Sequence, residues 1–238
     1  MRRSMLWSVV VIGALSAVEA APGGVVVTAW NFNGPAGTSE PSEGRGTASV
    51  IGGATANFAA GSPVDTSAPS PAENKGWNVT GFASQGTGSG ERGVQFACST
   101  SGFESIAVVW QERHSNSASR FVQFQYSLDG KAFTSSGLAN DGVFEASLGG
   151  DAWQTERRVD LKHIGGVDGN ANFAFRVVSV TDPATGQYLP TSPSANYSPT
   201  GTVRFDLVHV EGAAIPAPAA LALGASGALL AAVSRRRK

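Results

Sequence analysis

Phe121-Val122-Gln123-Phe124-Gln125-Tyr126-Ser127-Leu128-Asp129-Gly130 decides the fold. Val122, Phe124 and Tyr126 alternate with Gln123 and Gln125, so every second side chain is apolar. A strand turns successive side chains to opposite faces, and this period of two marks a strand half-buried against a core. Asp129-Gly130 then supplies a turn, with Ala132-Phe133 beyond it, which predicts a hairpin.

The same period recurs along the chain. Ile106-Ala107-Val108-Val109-Trp110 is a strand ending at Trp110. Phe173, Phe175 and Val177 alternate with Ala174 and Arg176. Val203, Phe205 and Leu207 alternate with Arg204 and Asp206. Further strands are expected at 25–32, 47–51, 54–58, 77–82, 93–100 and 153–159, and a single turn over 159–164. Pro-, Ser- and Gly-rich loops fill 34–46, 61–75 and 181–200. About ten short strands joined by Gly-rich turns predict an all-β fold, a single jelly-roll-like β-sandwich. With 42% hydrophobic residues, 15% charged residues and 30 glycines, the composition suits turn-rich β structure.

The ends read differently. Arg2 and Arg3 precede an apolar stretch from Leu6 to Val18, and Val18-Glu19-Ala20 offers a cleavage site between Ala20 and Ala21. This is the order of a secretory signal peptide. At the other end Pro216-Ala217-Pro218 leads into an uncharged run from Ala219 to Ser234, closed by Arg235, Arg236, Arg237 and Lys238. The run is shorter than the roughly 20 residues of an ordinary membrane-spanning helix, and the terminal cations favour the cytoplasmic side. The organisation expected is a signal peptide over 1–20, a sandwich over 21–212 and a sorting or anchor segment over 213–238, with a helix in each end segment.

This tail resembles the PEP-CTERM sorting signal of exported Gram-negative-type bacterial proteins: a Pro-Glu-Pro motif, a hydrophobic helix and an Arg-rich terminus. Ala217 stands where the family usually has Glu. The resemblance covers about the last 24 residues. It implies the export translocon and an exosortase-type membrane transpeptidase as partners, with transient residence in the inner membrane and then the cell envelope or extracellular matrix as the destination. The body has a resemblance of its own. Trp30-Asn31-Phe32-Asn33-Gly34, Trp110-Gln111-Glu112-Arg113-His114-Ser115-Asn116, the stretch quoted at the start and Gly201-Thr202-Val203-Arg204-Phe205-Asp206 resemble a lectin-like jelly-roll domain of exported bacterial proteins. That likeness implies a surface or matrix module and no particular activity.

Charge and site chemistry narrow the function. Setting aside Arg2, Arg3, Glu19 and the four terminal cations reduces the 17 basic and 18 acidic residues to 11 and 17, a net of −6. An acidic body excludes the basic footprint that non-specific nucleic-acid binding needs. Cys98 is the only cysteine, so neither an internal disulfide nor a cysteine zinc site can form. His114, His163 and His209 are far apart in sequence and match no metal motif; His209 is placed on the Phe205–Leu207 face of its strand. Asp129 and Asp141 sit in Asp-Gly turns, which explains them better than calcium does. No catalytic set and no cofactor is legible, and an enzyme is not expected.

The expected function is an exported surface module for binding or structure. A carbohydrate-binding module with polysaccharide as partner is the alternative, and an accessory domain of an extracellular hydrolase the second alternative. The residues put forward for a ligand face are Trp110, Arg113, His114, Tyr126, Arg176, Arg204 and Asp206. Arg113 and His114 come from the polar run 112–116, read as a loop after the strand. Arg176, Arg204 and Asp206 come from alternating strands.

Overall fold

The computed structural model describes residues 24–216. The signal peptide with Ala20 and Ala21, and the tail from Ala217 through Pro218 and Arg235, Arg236 and Arg237, lie outside them. Among the described residues no helix is long and apolar enough to cross a membrane.

The described residues form eleven strands: β1 (Val25–Trp30), β2 (Gly46–Ile51), β3 (Thr55–Ala60), β4 (Lys75–Thr80), β5 (Gly93–Cys98), β6 (Phe103–His114), β7 (Phe121–Ser127), β8 (Val143–Glu145), β9 (Trp153–Asp160), β10 (Ala174–Val180) and β11 (Val203–Ala214). They build an all-β sandwich of two antiparallel sheets. The first sheet runs β3-β4-β11-β6-β9, with β1 also paired to β11; the second runs β2-β5-β10-β7-β8. All ten expected strands are present within a few residues. The short β8 was not foreseen. The Asp129-Gly130 turn closes only one bridge, Tyr126 to Thr134.

The core follows from the alternation. Val50, Val94, Val177 and Phe124 lie side by side across the second sheet and face inward. Ile106, Val108 and Trp110 face them from β6. Phe96, Phe175, Phe124 and Trp110 form one run of stacked rings, with successive centroids 5.0, 5.6 and 5.7 Å apart. Offset aromatic contacts at such spacings add to the free energy of burial.

Two departures from the expected pattern have local causes. Strand β6 runs on past Trp110 to His114, so the polar run 112–116 begins inside a strand and is not a loop. The period that turns Ile106, Val108 and Trp110 inward also turns Glu112 and His114 inward, and both are fully buried. Trp110 Nε1 donates to Glu112 Oε2 at 2.8 Å, and Arg157 Nε donates to Oε1 at 2.9 Å. His114 Nδ1 lies 2.7 Å from the Ser119 carbonyl, and its Nε2 lies 3.3 Å from Glu112 Oε1, outside the angles of a good hydrogen bond. Burial opposes ionisation of Glu112, but the close His114 contact, the charges of His114 and Arg157 and the Trp110 donor outweigh it. They hold its carboxyl down to about 2.

The second departure is in β11. Its first part pairs with β4 and its second part with β1 along the same edge, while β6 follows the other edge. At the change of partner the register shifts and Leu207 takes φ 46°, a left-handed conformation. The extra residue reverses the faces beyond it. Val208 and Val210 point inward, and His209 points outward, 3.8 Å from Glu211, not onto the Phe205 face expected for it. Asp206 occupies the gap between β4 and β1. Loop 61–74 covers it completely, and it accepts hydrogen bonds from the Ser62 and Leu207 amides at 2.6 and 2.8 Å. Burial pushes its carboxyl up to about 7 against those two donors.

Candidate functional site

The outward face of the second sheet carries the best-organised polar surface. Partners across an antiparallel ladder project to the same side, so Ser49 of β2, Gln95 of β5, Arg176 of β10 and Gln125 of β7 form one row across four strands. The inward row beside it is wholly apolar, which fixes this row outward.

A chain of hydrogen bonds starts at Arg176 and Gln125 and leads out of the row to Gln123 and Asp141. Arg176 Nε donates to Gln125 Oε1 at 2.5 Å. Gln125 Nε2 donates to Gln123 Oε1 at 2.7 Å. Gln123 Nε2 in turn donates to the Asp141 carbonyl at 2.9 Å and to its Oδ2 at 3.2 Å. The other carboxylate oxygen of Asp141 accepts from Ser135 Oγ at 2.5 Å. The amides of Gln125 and Gln123 thereby have their orientation set by their neighbours, a preorganised array of donors and acceptors.

The segment after β7 brings an aromatic ring to the row. Asp129 Oδ1 accepts from the Lys131 and Ala132 amides, each at 2.8 Å, and from Ser127 Oγ at 2.9 Å. The Ala132 and Lys131 amides are the main reason its carboxyl is held down to about 2. Gly130 supplies the φ of 71° that the turn requires. Tyr126 and Thr134 exchange backbone hydrogen bonds at 2.9 Å, and Tyr126 Oη donates to the Ser136 carbonyl. The turn so fixed lays the half-buried Phe133 against Arg176, with the guanidinium 4.6 Å from the ring centroid. Burial presses the Arg176 pKa below its usual value.

One step along the strands, Thr47, Ala97, Ala174 and Ser127 form the next outward row. Ala174 and Ser127 are covered, whereas the Thr47 and Ala97 end of the row is open. That end leads into a hollow of about 460 Å³ whose lining includes Thr47, Ala97, Asp129, Gly130 and Asn172. At the opposite end the face is closed by an apolar cluster of Phe121, Val178 and Val180 packed with Ile51, Val143 and Leu189. The surface therefore reads as an apolar stop, a polar strip with one aromatic ring, and a hollow.

The seven residues expected to share a ligand face do not. Trp110, Tyr126 and His114 project into the sandwich interior, because their strand positions share the parity of the core residues. Asp206 is sealed under loop 61–74. Arg113 and Arg204 lie on the outward face of the first sheet, in the row Asn57, Asn78, Arg204, Arg113 and Trp153. Arg113 pairs with Asp151 at 2.7 Å, and Arg204 donates to Asn78 Oδ1 at 3.2 Å and to the Ala60 carbonyl at 2.7 Å. Arg176 alone of the seven stands on the polar strip. Gln95, Gln123, Gln125, Phe133 and Asp141 were not put forward from sequence. The alternation of β7 already placed both of its glutamines opposite the core side chains; nothing local revealed Phe133 or Asp141. Among the described residues no group of three His, Cys, Asp or Glu side chains could hold a metal. Cys98 is buried, and burial pushes its thiol up to about 11.

No protein-family model and no curated relative matches the chain. Among solved structures, it is similar to the CBM22-1 xylan-binding domain of Xyn10C from Paenibacillus barcinonensis, at 10% identity and a TM-score of 0.44, over 83% of this chain and 100% of that one. It is also similar to the mannan-recognising carbohydrate-binding module TmCBM27, at 10% identity and a TM-score of 0.38, over 80% of this chain and 98% of that one. At such identity the likeness concerns the fold and not the residues of any site.

Proposed function

We propose that the body is a jelly-roll-like polysaccharide-binding module whose site is the outward face of the second sheet. One observation carries this reading: the hydrogen-bonded strip of Arg176, Gln125, Gln123 and Asp141 beside Phe133. Sugars present hydroxyls that both donate and accept, with apolar faces formed by their C–H groups. Side-chain amides supply both hydrogen-bonding roles at a fixed geometry, and an aromatic ring supplies an apolar platform. A strip that is open at one end suits a chain better than a small enclosed molecule.

Affinity electrophoresis of the purified protein in gels containing soluble polysaccharides tests this. Retardation by at least one polysaccharide is expected. Gln123→Ala with Gln125→Ala is expected to weaken it about tenfold or more, in line with roughly 0.5–1.5 kcal/mol for each hydrogen bond lost. Retardation that survives this double change but vanishes in Trp153→Ala would move the site to the first sheet.

We further propose that the chain is exported, held briefly in the inner membrane by its C-terminal segment and delivered to the cell envelope or extracellular space by an exosortase-type enzyme. The support is the tripartite tail of Pro216-Ala217-Pro218, an apolar run and terminal arginines, together with the leader. Mass spectrometry of the mature protein should show loss of the leader and of the residues after the Pro216–Pro218 region. A mature chain that retains Arg235 to Lys238 would contradict processing.

A further inference from the structure

We infer that the polysaccharide taken by this face is acidic, a uronate-bearing chain whose carboxylate is held by the Arg176 guanidinium. This rests on the reading of the strip as a glycan site and adds to it the class of ligand.

The argument is one of unmatched charge. Arg113, Arg120, Arg157 and Arg158 each pair with a carboxylate. Arg176 has no such partner among the described residues, although it is half-buried and its desolvation is uncompensated by any anion. A buried or half-buried charge is usually paired, because removing it from water costs free energy that only an opposite charge restores. Among the described residues the only side-chain acceptor for Arg176 is a neutral amide, Gln125, which engages Nε. Phe133 covers the guanidinium plane. The fork is thus oriented on one edge and one face, with its terminal amino groups left for another acceptor. A planar fork of this kind matches a carboxylate in a bidentate pair.

The neighbouring charges point the same way. Asp141 is engaged by Gln123 and Ser135, and Asp129 by its own turn. Arg45 lines the hollow beside the strip, and Lys131 follows Gly130 at its rim, neither with a carboxylate partner among the described residues. The partners of Asp129 and Asp141 are neutral donors and do not cancel a carboxylate charge, but Arg176, Arg45 and Lys131 outnumber these two acids on this surface. The net charge of −6 on the body as a whole acts at longer range, where about 8 Å of screening at physiological salt weakens it.

Isothermal titration of the purified protein with polygalacturonate, alginate and glucuronoxylan, each beside its carboxyl-reduced counterpart, decides the matter. At least one acidic chain should bind about 10- to 100-fold more tightly than its reduced form, the range expected for hydrogen bonds to a charged group. That preference should vanish in Arg176→Gln. It should persist at lower affinity in Arg176→Lys, which keeps the charge and loses the fork. Equal affinity for the acidic and reduced chains, or binding of neutral xylan or mannan alone, would overturn the acidic ligand and leave the glycan site standing. Binding of no polysaccharide at all would overturn both.

Discussion

Replacing Phe175 by alanine is expected to lower stability by about 3–5 kcal/mol, the range for deleting a buried aromatic side chain. Phe175 is wholly buried in β10, the middle strand of the second sheet. Its ring is stacked between Phe96 and Phe124, at interplanar angles of 17° on both sides, and Phe173 lies 6.1 Å away. Deleting it breaks the run of rings at its centre. The neighbours cannot close the gap by rotamer changes, since Phe96 and Phe124 are themselves held by Trp30 and Trp110. The cost is therefore the lost transfer free energy plus most of a cavity. For a domain of this size about 2–4 °C in Tm corresponds to each kcal/mol, so thermal unfolding should shift by roughly 10 °C. A shift of only about 1–2 °C would contradict this, showing that the neighbouring rings close the gap and leave little cavity.

Glu112→Ala should cost as much, about 3–5 kcal/mol, because breaking a buried ion pair strands its partners. The carboxylate is surrounded by Trp110, His114 and Arg157. Arg157 also donates to the Glu145 carbonyl of β8 and lies 5.3 Å from the Phe144 centroid. It joins β9, an edge of the first sheet, to β8, an edge of the second. Losing Glu112 releases this clasp and leaves the Trp110 indole donor unpaired inside the sandwich. Removing both charges, as Glu112→Leu with Arg157→Leu, should cost less than the sum of the single changes. Equal costs would show that the pair acts as two independent packing elements.

The same group shapes the acid limb of stability. A carboxyl whose pKa falls on folding stabilises above its unfolded value, and that contribution is lost as pH drops through the folded value. For Glu112 the loss runs from 4.5 down to about 2. Asp206 acts in the opposite sense. Its pKa rises on folding from 3.8 to about 7, so stability falls as pH climbs through that window, at about 1.4 kcal/mol for each pKa unit. Thermal unfolding between pH 2 and 8 should therefore show an optimum on the acidic side of neutrality. Asp206→Asn should flatten its upper limb, and Glu112→Ala its lower one.

The strand pattern was legible because most strands are covered on one face only, which leaves the period of two intact in Val122-Phe124-Tyr126 and Phe173-Phe175-Val177. β8 escaped notice because three residues are too few to alternate. The site was less legible for three physical reasons. Glu112 and His114 are polar yet inward, since Trp110 and Arg157 donate to Glu112 and the Ser119 carbonyl pairs with His114 Nδ1; residue type suggested a loop where parity placed a strand. The bulge at Leu207 reversed the faces beyond it, and no residue type announces such a shift. Trp110 and Tyr126 attracted attention as potential sugar platforms, but their rings fill the core. The glutamines opposite them face outward and carry the strip. Phe133 reaches Arg176 only through the turn that Asp129 organises, a contact invisible to local pattern.

Mapping polysaccharide binding by NMR tests the central claim most directly. Titration should move the side-chain amide signals of Gln95, Gln123 and Gln125 and the Arg176 Nε signal, and leave the Asn57 and Asn78 amides and the Trp153 indole in place. Shifts confined to that first-sheet row, or no shifts with any glycan, would contradict the assignment of the site to the second sheet.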